Sequence, residues 1–285
     1  MYGLPRSDYP SGTLENLLGV LDLTQDGPDL FHGTSPDPTA FRVFGGQVAA
    51  QSVVAAGRTV GPRRRLAAIQ GSFLRQGDPT VPIEYAVTRP AEGRSFSFRH
   101  VEARQKGRTI FAASLTFHLG DDGPAHESAA DLPDPLGLPE FKPELASLQS
   151  GAWEMRRVVE PLSVEGWTIV QSMRTAGPLP EDPALHDALA VYSSDEFILD
   201  AAVFVHEPKT ENFQRFRIAS IDHAMYIHRP PKMDDWFFYR LQSPIAAGGR
   251  TFVRAEMRTP DGALFATVVQ QGLFQYPPAT NGHVS

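Results

Sequence analysis

The stretch GRSFSFRHVEARQKGRTIFAASLTF, from Gly93 to Phe117, recurs in outline in the second half of the chain. Three short elements match at a spacing of about 154 residues: Gly93-Arg94-Ser95-Phe96 with Gly249-Arg250-Thr251-Phe252, Glu102 and Arg104 with Glu256 and Arg258, and Phe111-Ala112 with Phe265-Ala266. Chance pairing of apolar strands does not explain charged residues at matched positions. The chain is therefore predicted to contain one fold twice.

Each copy combines a helix with long strands. In the first copy, small and apolar residues follow Gly45-Gly46, and residues 47 to 57 are predicted as a helix buried on most of its surface. The spacing of leucines predicts a short amphipathic helix near 13 to 22. Four strand-like segments follow, each flanked by turn-forming residues: Leu66 to Leu74, Val81 to Thr88, Ser95 to Arg104 and Thr109 to His118.

The second copy shows the same order of elements. A helix is predicted to begin at Asp182-Pro183, a cap followed by an N1 proline, and to run through Leu189. The predicted strands are Trp153 to Val159, Trp167 to Met173, Phe216 to His228, Trp236 to Ser243, Thr251 to Arg258 and Ala263 to Phe274. The predicted fold class is α+β, with two tandem helix-wrapped antiparallel sheets. The predicted divisions are a first repeat at 10–120, a connector at 121–150, a second repeat at 151–276 that carries the site, and a loose tail at 277–285.

Composition narrows the classes of function. The 285 residues include no cysteine, which excludes disulfides, thiolate metal sites and cysteine nucleophiles. The formal charge of -7 opposes binding to nucleic acid. The chain has no apolar run long enough for a membrane span and no secretory leader pattern at its start, so a soluble, cytoplasmic protein is expected.

The duplication provides an internal control, because positions that serve only the fold should stay similar between the copies. Three polar residues of the second copy stand where the first copy has something else: Asp222 for Gln70, Ser243 for Arg89 and Gln270 for Thr116. A carboxylate among apolar strand residues needs a partner or a task. A structural alternative makes Asp222 an ion-pair member and Gln270 a surface strand residue.

Other candidate motifs carry less information. Arg63-Arg64-Arg65 fits either a solvated turn or a phosphate site. Gly45-Gly46 before a helix fits close packing, and the backbone amides there also suit an oxygen that gains negative charge. His223 and His228 lack cysteine partners, and no metal site is expected. The chain has no nucleophile elbow, Walker loop or dinucleotide fingerprint.

Five segments together resemble the acyl-CoA thioesterase II family. They are FRVFGGQVAAQSVVAAGRTV (41–60), GSFLRQGDPTVPIEYAV (71–87), GRSFSFRHVEARQKGRTIFAASLTF (93–117), ASIDHAMYIHRP (219–230) and DGALFATVVQQGLF (261–274). The resemblance implies a double hotdog fold and hydrolysis of fatty acyl-CoA without a covalent intermediate, a cofactor or a metal. It also implies a homodimer or tetramer. The chain departs from the family at Gln70-Gly71, where His-Ser is usual, and at Ala91-Glu92-Gly93, where Arg-Asp-Gly is usual.

The family's water-holding Asp, Ser or Thr, and Gln fall on Asp222, Ser243 and Gln270, the positions that the comparison of the two copies selects. The resemblance implies that Asp222 is a general base on a water oriented by the other two. Backbone amides at a helix start would meet the oxyanion, either at Gly45, Gly46 and Gln47 or in the second-copy helix near 183. Arg63, Arg64 and Arg65 are the candidates for the CoA phosphates.

Two alternatives remain on the same scaffold. An enoyl-CoA hydratase or dehydratase would need a histidine across the site from Asp222, whereas the adjacent His223 is expected to point to the other face of its strand. Some members of the family have a threonine directly after the serine, and this chain has Pro244 there. That difference leaves open a noncatalytic acyl-CoA binding protein.

Overall fold

The computed structural model describes residues 12–36, 40–142, 151–159, 168–207 and 215–277. In these ranges the helices are α1 (Leu14–Leu21), α2 (Gly45–Gly57), α3 (Pro183–Ser194) and α4 (Asp200–His206), with a short 3-10 helix at Pro135–Gly137. The strands are β1 (Thr24–Gln25), β2 (Leu30–Gly33), β3 (Arg65–Phe73), β4 (Ile83–Glu92), β5 (Phe96–Gln105), β6 (Arg108–His118), β7 (Trp153–Val159), β8 (Ile169–Thr175), β9 (Arg217–Ser220), β10 (Asp222–Ile227), β11 (Phe237–Ala247), β12 (Arg250–Arg258) and β13 (Leu264–Gln275).

The predicted elements are confirmed to within a few residues at most of their ends. Helix α3 begins as expected, with Asp182 accepting a hydrogen bond from the Ala184 amide and Pro183 in the first turn, but it continues to Ser194 rather than ending at Leu189. The sequence did not indicate α4, β1 or β2. Trp167, the predicted start of β8, and the tail beyond 277 lie outside the described residues.

The order of the strands shows the duplication directly. The first half-sheet runs β2-β4-β5-β6-β3 and the second runs β8-β11-β12-β13-β10, so each half has the same order relative to its own helix. Strands β3 and β10 pair antiparallel and join the two halves into one continuous sheet. The matched Glu-x-Arg elements also fold alike, since Arg104 donates to Glu102 and Arg258 donates to Glu256. The α+β double hotdog prediction is confirmed.

Helices α2 and α3 form the centre of the molecule. Most of α2 is buried, as its small residues predict, and α2 packs against α3 and against strands of the first half-sheet. The two helices run in opposite directions: Gly46 near the start of α2 faces the Tyr192 carbonyl near the end of α3, while Arg65 beyond α2 pairs with Asp187 in the first turns of α3. In the part of the chain that the structure describes, no helix is long and apolar enough to cross a membrane.

Candidate active site

Asp222 lies at a β-bulge where the second half-sheet joins the first. Ser220 pairs with Gly272 and Ala224 pairs with Val269, so four residue steps along β9 and β10 match three along β13. The extra residue on the β9–β10 side shifts the register against β13 between Ser220 and Ala224. Such bulges often change the direction of side chains beside active sites. The half-buried Asp222 carboxylate accepts a hydrogen bond from the Gln271 amide at 2.8 Å.

Gln270 lies on β13 at the same bulge and is fully buried. Its Nε2 donates to Ser220 Oγ at 2.9 Å, and its Oε1 accepts from His223 Nδ1 at 2.5 Å. Asp222 therefore contacts the peptide group that follows Gln270, while the Gln270 amide contacts the residue two positions before Asp222. The structure brings these two predicted site residues to one point of the sheet.

The start of α2 lies against this point. A Cβ on Gly45 would lie 2.6 Å from Asp195 Oδ2 and 2.9 Å from the Phe73 ring, so only glycine fits. The Phe73 amide donates to the Ile221 carbonyl at 2.9 Å, next to Asp222. Phe44, the residue before α2, gives the helix no side-chain cap. The first amides of an α-helix have no acceptor within the helix, so they are available to a ligand or a neighbouring group.

Asp195 is a second carboxyl group at the site, and the sequence did not indicate it. It is 9% exposed, and Ser220 Oγ donates to its Oδ1 at 3.5 Å. Burial raises the pKa of this carboxyl, while His223, the Gln270 amide and the Gly46 amide oppose the increase. The acid is therefore surrounded by the start of α2 and by the same strand residues that hold Gln270.

Ser243 occupies a different environment. It lies in an irregularity of β11 between Gln242 and Ile245, where the pairing with β12 shifts register. Its hydroxyl group hydrogen-bonds to Thr251 Oγ1 at 2.9 Å and to the Phe252 carbonyl at 3.3 Å. Both partners are on β12, which separates Ser243 from Gln270 on β13. Among the described contacts, Ser243 has no hydrogen bond to Asp222 or Gln270.

The Gln47 side chain connects the start of α2 to the segment at Thr34 and Ser35. Its Nε2 lies within hydrogen-bond distance of the Thr34 carbonyl, Ser35 Oγ and Gln51 Oε1. Gln47 is 1% exposed, so its side chain is committed to the surrounding fold. Any contribution of this residue to an oxyanion would come from its backbone amide.

The arginine cluster lies at the other end of α2. That helix has 13 residues, which corresponds to about 20 Å of axis between Gly45 and the residues that lead to Arg63. Arg64 pairs with Glu92, and Arg65 forms a two-pronged ion pair with Asp187. Two of the three arginines therefore already have carboxylate partners.

His223 is expected to point to the face of its strand opposite Asp222, and the alternating burial along β10 agrees: Asp222 is half-buried and His223 is buried. The ring is 1% exposed and lies between Ser194 Oγ, at 2.8 Å from Nε2, and Gln270 Oε1. The contact with Gln270 places His223 on the buried face of the sheet. A ring held in this way is not presented across the site from Asp222, as a hydratase would need.

Ser194, Asp195 and Ser220 are the residues that sequence reasoning missed. The predicted helix ended at Leu189, so the polar run from Ser193 to Glu196 was assigned to no element. The comparison of the two copies contains a usable signal: the residue after α2 is Arg58, whereas the residue after α3 is Asp195. The C-cap position therefore changes from a basic residue in the first copy to an acidic residue in the second, a difference of the same kind as that between Gln70 and Asp222.

Comparison with known proteins gives matches along nearly the whole chain. Residues 34–118 match the family model described as acyl-CoA thioesterase N-terminal domain, and residues 146–273 match the model described as acyl-CoA thioesterase. Human acyl-coenzyme A thioesterase 8 is 31% identical over 94% of this chain and 92% of its own length. Acyl-CoA thioesterase 2 of Haemophilus influenzae is 31% identical over 93% of this chain and 99% of its own length.

Solved structures give the same result. The acyl-CoA thioesterase II of Mycobacterium marinum has a TM-score of 0.79 and 33% identity, covering 93% of this chain and 98% of that one. A hot dog fold protein from Alicyclobacillus acidocaldarius, at 21% identity, has a TM-score of 0.75 over 91% of this chain and 97% of that one and shows the fold alone. Identity above 30% across both repeats establishes the family. The chain therefore belongs to the acyl-CoA thioesterase II family and is a thioester hydrolase.

Proposed function

We propose that this protein hydrolyses fatty acyl-CoA to free fatty acid and CoA by direct attack of a water held by Asp222, Ser243 and Gln270. One observation carries the proposal: the Asp222 carboxylate accepts from the Gln271 amide and the Gln270 side chain donates to Ser220, both at a bulge near the start of α2, which has no side-chain cap. A base, a side-chain amide and backbone donors at a helix start are thus close together, which is what addition of water to a thioester carbonyl requires.

The reaction proceeds in two steps. Asp222 removes a proton from the water as the water oxygen attacks the thioester carbon, and the carbonyl oxygen becomes an oxyanion met by the amides of Gly45, Gly46 and Gln47. The oxyanion then collapses, the carbon–sulfur bond breaks, and the sulfur of CoA takes the proton from Asp222. General-base assistance of this kind contributes about 10²–10⁴-fold to the rate. No covalent intermediate forms.

The oxyanion assignment favours α2 over α3. The start of α3, at Pro183, lies beside Arg65 at the opposite end of the helix pair from Asp195. The start of α2 lies beside Asp195 and beside Phe73, whose amide donates to the Ile221 carbonyl next to Asp222. The Gly46 amide also interacts with the Asp195 carboxyl, so Gly45 and Gln47 are the less committed donors.

The first experiment is release of CoA thiol from acyl-CoAs of increasing chain length, by wild type, Asp222→Asn and Gln270→Ala. We expect turnover by wild type and a loss of about 100-fold or more in the Asp222→Asn variant, the scale of general-base catalysis. Thr116→Ala is the matched control, because Thr116 occupies the Gln270 position of the first repeat. Full turnover by Asp222→Asn would refute the mechanism, and tight binding of acyl-CoA without thiol release would indicate a noncatalytic binding protein.

Ser243→Ala tests the third water-holding residue separately. The support for Ser243 is the family resemblance, since its hydroxyl group in the structure bonds to Thr251 and Phe252. If Ser243 holds the water, kcat falls with the acyl-CoA KM little changed. Unchanged kcat would leave Asp222 and Gln270 as the groups that act on the water.

Recognition of the CoA phosphates by Arg63, Arg64 and Arg65 is a further part of the proposal. Each single alanine variant would be compared with wild type for the KM of acyl-CoA and of an acyl-pantetheine that lacks the nucleotide. A rise in KM restricted to acyl-CoA would support phosphate contact. A homodimer or tetramer and a cytoplasmic location remain predictions, which light scattering and cell fractionation would test.

A further inference from the structure

A buried chain of polar residues runs behind Gln270. It consists of Ser194, His223, Gln270, Ser220 and Asp195, joined by hydrogen bonds of 2.8, 2.5, 2.9 and 3.5 Å in that order. Ser194 and Gln270 are fully buried, His223 is 1% exposed and Asp195 is 9% exposed. We call these five residues the buried polar chain.

The buried polar chain is not a requirement of the fold. Burial of polar groups costs free energy unless each is hydrogen-bonded. A carboxyl at the C-terminal end of a helix is also unfavourable, because the helix dipole is negative there. The first repeat forms the same half-sheet without the buried polar chain. The equivalent positions in the first repeat are Gly57, Arg58, Ala68, Gly71 and Thr116.

The hydrogen bonds of the buried polar chain involve both the oxygen and the nitrogen of the Gln270 side-chain amide. A glutamine amide has two N–H donors and a carbonyl oxygen with two lone pairs. In Gln270, His223 uses one lone pair and Ser220 uses one N–H group. The Asp195 carboxyl also interacts with this amide directly, which leaves one lone pair of Oε1 for a water. Rotation of the amide by half a turn would exchange its nitrogen and oxygen and break both contacts.

We propose that Asp195 and His223 are positioning residues that fix the Gln270 amide in the orientation needed to hold the attacking water. Asp195 acts on the nitrogen of the Gln270 amide both directly and through Ser220, and Ser194 acts through His223 on the oxygen of that amide. Asp195 also interacts with the backbone amide of Gly46, and so connects the Gln270 side chain to the start of α2. This inference rests on the proposed function of Gln270.

The test is a double-mutant cycle on kcat, with CoA thiol release as the assay. Asp195→Asn alone should lower kcat by about 10- to 100-fold, the scale of a small misplacement at a reacting centre, with less change in KM. In the Gln270→Ala background the same change should have little further effect, because the group on which Asp195 acts is gone. A purely structural role would give equal losses in both backgrounds.

Two adjacent serines, Ser193 and Ser194, provide a matched control for the contacts on the oxygen of the Gln270 amide. Ser193 and Ser194 are both fully buried, and their hydroxyl groups donate to Ala190 and Val191 carbonyls in the same way. In the described contacts, Ser194 reaches His223 and Ser193 does not. Ser194→Ala should lower kcat, and that loss should disappear in the Gln270→Ala background, whereas Ser193→Ala should leave kcat near the wild-type value.

The outcomes separate the two proposals. No turnover by wild type, or full turnover by Gln270→Ala, would overturn the proposed function. A slow Gln270→Ala variant together with additive effects of Asp195→Asn and Ser194→Ala would overturn the positioning roles alone. Thermal denaturation of each variant, followed by circular dichroism, would establish that the rates compare folded proteins.

Discussion

Asp195 makes the stability of this protein depend on pH in a definite direction. Burial raises the pKa of its carboxyl group in the folded chain. A carboxyl with a raised pKa binds its proton more tightly in the folded state than in the unfolded state. Its contribution to the free energy of unfolding therefore falls as the pH rises from about 4, the unfolded value, toward the raised value.

Asp195→Asn should remove this penalty. We expect the variant to gain free energy of unfolding relative to wild type, and to gain more at about pH 7.5 than at about pH 4.5, because asparagine does not ionise. Denaturant unfolding of both proteins at the two pH values is the measurement. A variant that is less stable than wild type by the same amount at both would show that Asp195 stabilises the fold. A gain in stability with a loss of turnover would be the signature of a functional residue.

Individual site residues could be predicted only in part. Asp222 and Gln270 differ between the repeats within strands that the sequence patterns define well, so a comparison of the two copies selects them. Asp195 stands in the polar run from Ser193 to Glu196, which looks like an ordinary exposed helix end, and Ser220 is a single small polar residue between Ala219 and Ile221. Their burial depends on how α3 ends against α2 and β13, and no local pattern encodes that contact.

At the scale of elements, the start of α2 tolerates no side chain at Gly46. A Cβ there would lie 2.5 Å from the Tyr192 carbonyl oxygen in the backbone of α3. Gly46→Ala should push the helices apart and lower the free energy of unfolding by about 1–3 kcal/mol, as overpacking does. Chemical denaturation would measure this change.

Gly57→Ala in the same helix is the control. The nearest heavy atom to a Cβ at Gly57 is 3.9 Å away, in the Phe117 ring, which is an ordinary contact. Alanine is favoured over glycine in a helix by about 0.5–1 kcal/mol. We therefore expect Gly57→Ala to be neutral or stabilising. Equal destabilisation by both substitutions would mean that the Tyr192 contact is not the cause.

The predicted elements were accurate where one pattern continued and inaccurate where tertiary contacts interrupt it. The strand predicted from Phe216 to His228 is divided at Ile221, because its two parts pair with β13 in different registers. Helix α4 follows α3 after only a few residues. Its apolar run from Ala201 to Val205 fits a strand as well as a helix, so periodicity alone did not identify it.

At the scale of the whole molecule, the Arg65–Asp187 pair joins the two repeats. Asp187 is 4% exposed and Arg65 is 30% exposed, and the guanidinium contacts both carboxylate oxygens. Arg65→Met should lower the free energy of unfolding by about 3 kcal/mol, because it leaves a buried carboxyl without its partner. Denaturant unfolding would check the value.

Two further variants separate loss of the pair from loss of the side chain. Arg65→Met combined with Asp187→Leu should recover most of the stability, since an apolar pair leaves no buried charge. Arg89→Met removes the exposed pair with Asp29, whose members are 45% and 40% exposed, and should cost at most about 1 kcal/mol. Failure of the double variant to recover would assign the effect to packing of the Arg65 stem.

The duplication was predictable, whereas the way the copies join was not. Gly-Arg-Ser/Thr-Phe and Glu-x-Arg recur in the sequence, and Glu-x-Arg forms the same contact in both halves. Pairing of β3 with β10 has no such marker, because any two strands with suitable edges satisfy each other's backbone groups. Only the assembled structure shows that one sheet continues through both repeats.

The seam between β3 and β10 also has an evolutionary consequence. Two identical subunits in a symmetric dimer must carry every substitution twice, so a change that improves one centre alters the other. A covalently joined pair is free of that constraint, and one half can keep the chemistry while the other becomes scaffold. Thr116 and Gly71 occupy the positions of Gln270 and His223 in the first repeat. The proposed mechanism therefore predicts one productive substrate for each chain rather than two.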